Sequence, residues 1–268
     1  MDNRAIGVFD SGLGGLTAVK ELKKIVPNEQ IIFLGDTARV PYGSHDRETI
    51  CQYARDDISF LLSNNVKLLI AACGTVSSNF PKEEIASLPV PFVGILRPTV
   101  KAAVKATKNL RIGVLGTEAT IRSGAFEREI MNADPSIMVI SQACPLFVPL
   151  VENGCTSENN QFVINTTEDY LETIKDFGCD TVVLGCTHYP HLTGVIKKVL
   201  GDDVVLINSG KETAVEAARI LSEAELETDC HDGSTQYYVT KQPDNFLEKA
   251  SLLLEENISH NVFEITLK

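Results

Sequence analysis

Short runs of Leu, Ile and Val alternate along this chain with longer stretches in which apolar residues recur every three or four positions. The short runs are typical of buried parallel strands and the longer stretches of amphipathic helices, an alternation that predicts an α/β fold. We predict strands near residues 6–9, 31–34, 68–72, 92–95, 112–115, 138–141, 182–184, 204–207, 237–240 and 262–266. We predict helices near residues 16–25, 47–64, 82–87, 99–107, 123–131, 159–177, 192–200, 212–223 and 245–255.

The second half of the chain repeats the apolar runs of the first. Four pairs of runs correspond in order, two at an offset of 106 residues and two at 113: 6–11 with 112–117, 31–36 with 137–142, 68–73 with 181–186, and 92–96 with 205–209. This period is far too long for a solenoid and indicates a duplicated unit. We predict two pseudo-symmetric α/β domains, with mainly parallel sheets flanked by helices and an active site in the cleft between them. The first would comprise residues 1–97 plus 209–268, and the second residues 98–208.

Composition limits the range of partners. The 268 residues are 44% hydrophobic and 22% charged, as in an ordinary globular protein. A net charge of −12 without a Lys/Arg cluster argues against nucleic acid and against anionic membranes. Neither a signal peptide nor a long apolar span is evident. Seven cysteines, an odd number in a chain of this length, fit a reducing compartment, so we expect a cytoplasmic protein.

Two cysteines end corresponding strands, Cys73 in LLIAACGT and Cys186 in VVLGCTHYP. A free cysteine is usually a small buried apolar residue, but matched positions at strand ends, followed by Thr75 and Thr187, favour a function. If the halves face each other, the two thiols face across the cleft. The remaining cysteines lack such a setting and are interpreted as structural or incidental: Cys51, Cys144, Cys155, Cys179 and Cys230.

Glycine-containing turns follow the first two strands. The turn 10–15 (DSGLGG) opens a helix, where backbone N–H groups can hold an anion. A dinucleotide site is disfavoured because Thr17 occupies the third glycine position and Asp10 would lie against the pyrophosphate. Asp10 is better suited to gripping an ammonium group or assisting a thiol. Tyr42 and Gly43, in GDTARVPYG, either present N–H donors to a carboxylate or form an ordinary turn.

Two histidines follow the second cysteine of this pair. The spacing Cys186-x-His188-x-x-His191 could supply metal ligands, but Pro190 makes the local geometry awkward, and we predict no metal. His188 is better interpreted as a proton partner of the adjacent thiol. Glu152, after the apolar run of FVPLVENG, would by itself be an ordinary residue at the start of a helix.

Seven motifs in order resemble the bacterial glutamate racemases of the aspartate/glutamate racemase superfamily: IGVFDSGLGGLT, GDTARVPYG, ACGT, GTEATIRS, CPLFVPLVE, LGCTHYP and INSGKET. The resemblance covers essentially the whole chain. It implies an enzyme without a cofactor that interconverts L- and D-glutamate and supplies the D-isomer for peptidoglycan. It also implies two pseudo-symmetric domains around a cleft and, commonly, a homodimer.

Matching motifs imply roles for individual residues. Cys73 and Cys186 correspond to the paired catalytic cysteines, and Asp10, Glu152 and His188 to the polar residues that assist them. Glutamate-holding positions are Asp10, Ser11, Tyr42, Gly43, Gly74, Thr75, Thr187 and His188.

Position 74 departs from the family, which frequently has Asn there. With Gly74, a side-chain contact to the substrate is missing and only the backbone remains. We expect Gly74→Asn to restore a donor if the backbone accepts a Cβ. Glycine can instead permit a closer approach or a different loop conformation, and a positive φ at Gly74 would make the substitution harmful.

The two thiols suit racemisation, which removes a proton from one face of Cα and returns one to the other. Two alternatives stay open at this point. The substrate can be aspartate or another acidic amino acid, because pocket length decides that choice. The protein can instead act chiefly by binding a partner such as DNA gyrase, as reported for some members of the family. The intact pair of thiols favours the enzyme.

Overall fold

The structure is a computed structural model that describes residues 1–267. Its strands are β1 (Ile6–Asp10), β2 (Ile31–Gly35), β3 (Leu68–Ala71), β4 (Phe92–Gly94), β5 (Arg111–Gly116), β6 (Met138–Ala143), β7 (Thr181–Leu184), β8 (Val205–Asn208), β9 (Thr235–Val239) and β10 (Val262–Glu264). Its helices are α1 (Leu16–Ile25), α2 (Arg47–Ser63), α3 (Gly74–Asn79), α4 (Lys82–Ala86), α5 (Leu96–Ala106), α6 (Glu118–Ser123), α7 (Ala125–Ala133), α8 (Phe147–Glu152), α9 (Gln161–Phe177), α10 (Thr193–Leu200), α11 (Ser209–Glu223) and α12 (Pro243–Leu254).

The strands form two sheets, in the orders β10-β9-β2-β1-β3-β4 and β6-β5-β7-β8. All of the strand pairs are parallel. Strands β1, β2, β3 and β7 are buried along their whole length, because helices cover both faces of each sheet. An apolar core lies on each face of each sheet. The predicted fold class is therefore confirmed.

The order β2-β1-β3-β4 in the first sheet matches β6-β5-β7-β8 in the second. The central pairing has the same register in both, since Ile6 pairs with Leu68 and Ile112 pairs with Thr181 at the predicted offsets. The outer pairing is shifted: Ile6 pairs with Ile31, whereas Ile112 pairs with Val139. The predicted match of 31–36 with 137–142 is thus two residues out of register. Strands β9 and β10, from the C-terminal tail, extend the first sheet only.

Side chains at the helix starts explain several boundaries. Asp46, Asn160 and Asn208 accept hydrogen bonds from backbone N–H groups in the first turns of α2, α9 and α11. Gly178, with φ 71°, ends α9 in the left-handed conformation that favours glycine. Among the helices of residues 1–267, none combines the length and the apolar character that a membrane crossing needs.

Three short helices were not predicted. Helices α3, α6 and α8 have six residues each, too few for an apolar period to stand out. They follow β3, β5 and β6, at the edge of the sheets where the cleft opens. Helix α5 begins at Leu96 rather than at Thr99, the predicted start. Glu152 is the last residue of α8, so its interpretation as a helix-start residue was wrong.

Candidate active site

The carboxyl ends of β1, β3 and β7 converge on one cavity of about 360 Å³ between the two sheets. Every predicted site residue lines it, namely Asp10, Ser11, Tyr42, Gly43, Cys73, Gly74, Thr75, Glu152, Cys186, Thr187 and His188. The other lining residues are Val40, Pro41, Ser44, Thr117, Glu118, Pro145, Val148 and Pro149. Parallel strands bring their carboxyl ends to one edge, and this explains how residues far apart in sequence meet here.

Cys73 lies two residues beyond β3, immediately before α3, and its side chain is buried. Its Sγ lies 3.9 Å from Ser11 Oγ. Burial raises the pKa of the Cys73 thiol to about 12, and the charges of Asp10 and Cys186 add to the effect. Without a substrate, this cysteine is therefore a thiol.

Asp10, at the end of β1, is the carboxyl group beside Cys73. The Gly12 N–H donates to its Oδ2 at 3.0 Å. Burial raises the pKa of Asp10, while the positive charge of His188 and backbone hydrogen bonds from Gly15 and Gly12 oppose this rise. An acid with a raised pKa can exchange a proton near neutral pH more readily than an exposed one.

Cys186 lies two residues beyond β7 and has a different partner. Its Sγ is 3.8 Å from His188 Nδ1, and His188 Nε2 is 3.1 Å from Glu152 Oε1. Burial alone would lower the pKa of His188, but the hydrogen bonds to Cys186 and Glu152 outweigh it and raise the pKa to about 10. Burial would raise the pKa of Glu152, but the bond to His188 leaves it lowered. At neutral pH this is an imidazolium held between a carboxylate and a sulfur.

The first half of the molecule holds the loop that carries Cys186. Thr17 Oγ1, in α1, donates to the Thr187 carbonyl at 2.9 Å. A Cβ at Gly14 would overlap the His188 ring and lie 2.5 Å from Thr187 Oγ1. Gly14 is thus needed for the close approach of the imidazole. The sequence singled out this turn for its backbone N–H groups, and the structure adds a packing role for Gly14.

Thr117 and Glu118 line the cavity but were not predicted as site residues. Thr117 Oγ1 lies 3.0 Å from both Thr75 Oγ1 and Thr120 Oγ1, so it belongs to a row of hydroxyl groups. The sequence contained a signal for Thr117. At the offset of 106 residues it is the counterpart of Ser11, which was predicted.

Tyr42 and Gly43 reach the cavity at a 3-10 turn that begins at Tyr42. The Tyr42 phenol is engaged in the core with Asp36 and Asp57, so the polar atoms it can offer the cavity are those of its main chain. A Cβ at Gly43 would lie 2.9 Å from Thr117 Cβ. The turn from the first half therefore packs tightly against the second.

Glycine at position 74 is explained by a close approach and not by a positive φ. It is not among the glycines with positive φ, and it begins helix α3. A Cβ at Gly74 would overlap the carbonyl oxygen of Gly185, the residue before Cys186, and lie 3.3 Å from Ile95 Cδ1. The condition for Asn to restore a donor, a backbone that accepts a Cβ, is therefore not met, and the alternative of a closer approach applies. Glycine lets the two cysteine loops touch.

His191 does not join the cavity. Its Nε2 is buried without a hydrogen-bond partner, and burial together with the charge of His188 lowers its pKa to about 4. Within residues 1–267, no three His, Cys, Asp or Glu side chains are grouped so as to hold a metal ion. The cysteines of this range are all free thiols.

Fold and site together define a class: a duplicated α/β protein in which each half presents one buried thiol to a shared cavity. The pattern of the Asp/Glu/Hydantoin racemase family matches residues 15–217. The chain is 41% identical to the glutamate racemase of Geobacter metallireducens over 266 residues, covering 99% of this chain and 97% of that protein. The chain belongs to this racemase family.

Solved structures agree over the whole chain. The glutamate racemase isoform RacE1 of Bacillus anthracis is 34% identical, with a TM-score of 0.95 and coverage of 100% of this chain and 99% of that one. The glutamate racemase of Francisella tularensis, solved with D-glutamate, is 36% identical, with a TM-score of 0.92 and the same coverage.

Proposed function

We propose that this protein is a glutamate racemase that works with two thiols and without a cofactor. One observation carries the proposal: two buried cysteines, at the ends of corresponding strands, line one cavity with an acid or a base beside each. The glutamate racemases named above support the substrate. The two alternatives, aspartate racemase and a protein that acts by binding DNA gyrase, have no support among these relatives.

The proposed chemistry exchanges the α-proton between two sulfurs. In one direction, a thiolate at Cys73 removes the proton from one face of Cα while the Cys186 thiol donates to the other. In the reverse direction the roles are exchanged. Cys73 must first lose its proton, and neighbouring Asp10 is the group that can accept it. His188, supported by Glu152, is the proton partner of Cys186: its imidazolium carries the proton that this sulfur has given up and returns it when Cys186 must donate.

The acidity of Cα–H must also be raised. We propose that hydroxyl and backbone N–H groups around the cavity, including those of Ser11, Gly43 and Thr187, bind the substrate carboxylates. The substrate ammonium then stabilises the negative charge on the Cys73 thiolate while Asp10 holds the proton, because a nearby positive charge favours the charged form of the thiol. Thiolate formation would thus be coupled to binding.

The direct test is incubation of the purified protein with L-glutamate alone, followed by chiral analysis. In D2O, we expect deuterium at Cα of the product enantiomer. L-aspartate serves as the comparison substrate. Activity lost on dialysis against a chelator and restored by zinc would replace this proposal with a metal-dependent reaction.

Four further proposals accompany the function. We propose that the product D-glutamate supplies peptidoglycan synthesis, as the family resemblance implies. We propose a cytoplasmic location, since free thiols fit a reducing compartment. We propose a homodimer because the family resemblance implies one. We also propose domain boundaries at residues 97 and 209, because β4 closes the first sheet just before the former and β8 closes the second just before the latter.

A further inference from the structure

Beneath the turn that carries Tyr42 and Gly43 lies a group of buried polar side chains that the proton transfers do not use. The side chains of Asp36, Asp57 and Tyr42 are each at most 1% exposed. Tyr42 Oη lies 2.5 Å from Asp36 Oδ2 and 3.0 Å from Asp57 Oδ2. Asp36 follows β2 and Asp57 belongs to α2, so the phenol ties the turn to two elements of the first half.

The hydrogens of this group can be counted. A phenol donates one hydrogen and can accept another, yet this one faces two carboxyl oxygens. The shorter contact, to Asp36, has the length of an O–H donor on a carboxylate. The other oxygen of Asp36 accepts from Thr240 Oγ1 at 2.8 Å, which also suits an ionised Asp36. The contact between Tyr42 and Asp57 then needs a hydrogen from Asp57.

The charges lead to the same result. Arg39 donates through Nε to Asp36 and through Nη1 to Asp56 at 2.6 Å, but its Nη2 is 3.4 Å from Asp57 Oδ1. Its guanidinium stacks on the Tyr53 ring at 4.2 Å. A single cation, the Arg39 guanidinium, thus lies beside three carboxyl groups, two fully buried (Asp36 and Asp57) and one partly exposed (Asp56). Burial and the charge of Asp36 hold the pKa of Asp57 well above its usual range, against the attraction of Arg39.

We propose that Asp57 is a positioning residue: as a neutral acid it donates its hydrogen to Tyr42 Oη and fixes the turn that presents Tyr42 and Gly43 to the substrate. Asp57 does not line the cavity, so it acts through Tyr42. Gly43 packs against Thr117 across the cleft, and a shift of the turn therefore changes the cavity itself. The effect on glutamate binding rests on the proposed function, whereas the protonation of Asp57 does not.

Three variants test the positioning role. Asp57→Asn keeps a donor of the same shape, and we expect KM and kcat within about twofold of wild type. Asp57→Ala removes the donor, and we expect KM to rise about tenfold, equivalent to about 1.4 kcal/mol, with kcat changed less. Asp56→Asn removes the neighbouring carboxylate on Arg39 and is the matched control, with KM near wild type. The proposal is overturned if either Asp57→Asn or Asp56→Asn is as impaired as Asp57→Ala.

The protonation is measured separately, by the infrared difference spectrum between wild type and Asp57→Asn at neutral pH. We expect a protonated-carboxyl band that the variant lacks, and its absence would overturn the proposal even if Asp57→Ala failed to fold. A wild type that does not racemise glutamate would refute the proposed function. The infrared band would still decide whether Asp57 is neutral.

Discussion

The two halves of the active site occupy equivalent places in a duplicated fold but hold their thiols in different chemical surroundings. Cys73 and Cys186 each lie two residues beyond the third strand of their half. The neighbours do not correspond. At the predicted offsets, the counterpart of Asp10 is Gly116, and the counterpart of His188 is Thr75. One thiol therefore has a buried carboxyl beside it, and the other an imidazolium backed by Glu152.

The difference shows what duplication preserved. The backbone places both sulfurs at one cavity, and proton transfer at the two faces of a single Cα needs two such carriers. The proton partners are specific to each half and lie in a shared electrostatic field, since His188 lowers the pKa of Asp10 while Asp10 raises that of His188. We infer that the halves are equivalent in position and inequivalent in acid–base chemistry.

Loss of either thiol should have the largest effect. We expect Cys73→Ala and Cys186→Ala each to lower kcat/KM by at least about 10³-fold, because one face of Cα then lacks its proton carrier. Cys179→Ala is the control, since Cys179 is buried in the second half before β7 and does not line the cavity. Chiral analysis at matched protein concentration measures all three. Near-wild-type turnover in either of the first two variants would end the two-thiol mechanism.

The proton partners are tested next. We expect Asp10→Asn and His188→Asn each to lower kcat/KM by about 10²–10⁴-fold. The loss must be equal in both directions, because the two enantiomers have the same free energy. The difference between the half-sites lies instead in the isotope effect of Cα-deuterated substrate. His188→Asn should enlarge it for the enantiomer whose α-proton goes to Cys186, and Asp10→Asn for the other enantiomer. An identical pattern in both variants would contradict separate partners.

Much of this comparison could be predicted from the sequence, because the apolar runs indicate both the strand positions and the repeat. The matched cysteines, Asp10 and His188 were found that way. Thr117 was missed although the match of 6–11 with 112–117 pairs it with Ser11, since a function was carried across the offset only for the cysteines. A closer approach was one of the reasons predicted for Gly74, but its partner Gly185 could not be predicted, because the contact depends on how two loops 111 positions apart are oriented by separate sheets. The same is true of the Asp57–Tyr42 contact, in which a mid-helix Asp reads as an ordinary surface residue.

Disturbing the contact between the two cysteine loops should lower turnover by an intermediate amount, less than loss of a thiol or of its proton partner. Gly74→Ala and Gly74→Asn both add a Cβ that would overlap the Gly185 carbonyl. We expect both to push the half-sites apart and to lower kcat about 10- to 100-fold, since misplacement by about 1 Å can cost 10²-fold. The pair is its own control, because only Asn adds a possible donor. Wild-type kcat with a lower KM in Gly74→Asn alone would show that the loops separate freely and that the donor matters more than the contact.

The smallest effect should come from Glu152→Gln, which leaves both thiols and both proton partners in place. Glu152 helps to raise the pKa of His188 to about 10, so His188 stays an imidazolium up to that pH and loses its proton above it. Without the carboxylate this pKa falls, and the stabilisation that the pair gives the folded protein at neutral pH falls with it. We expect a few-fold loss of kcat at neutral pH and an alkaline limb of the kcat profile moved to lower pH. Glu168→Gln, an exposed carboxylate on α9, should leave both unchanged. An unmoved alkaline limb in Glu152→Gln would mean that the charge on His188 does not limit turnover, and the inequivalence of the two half-sites would then rest on Asp10 alone.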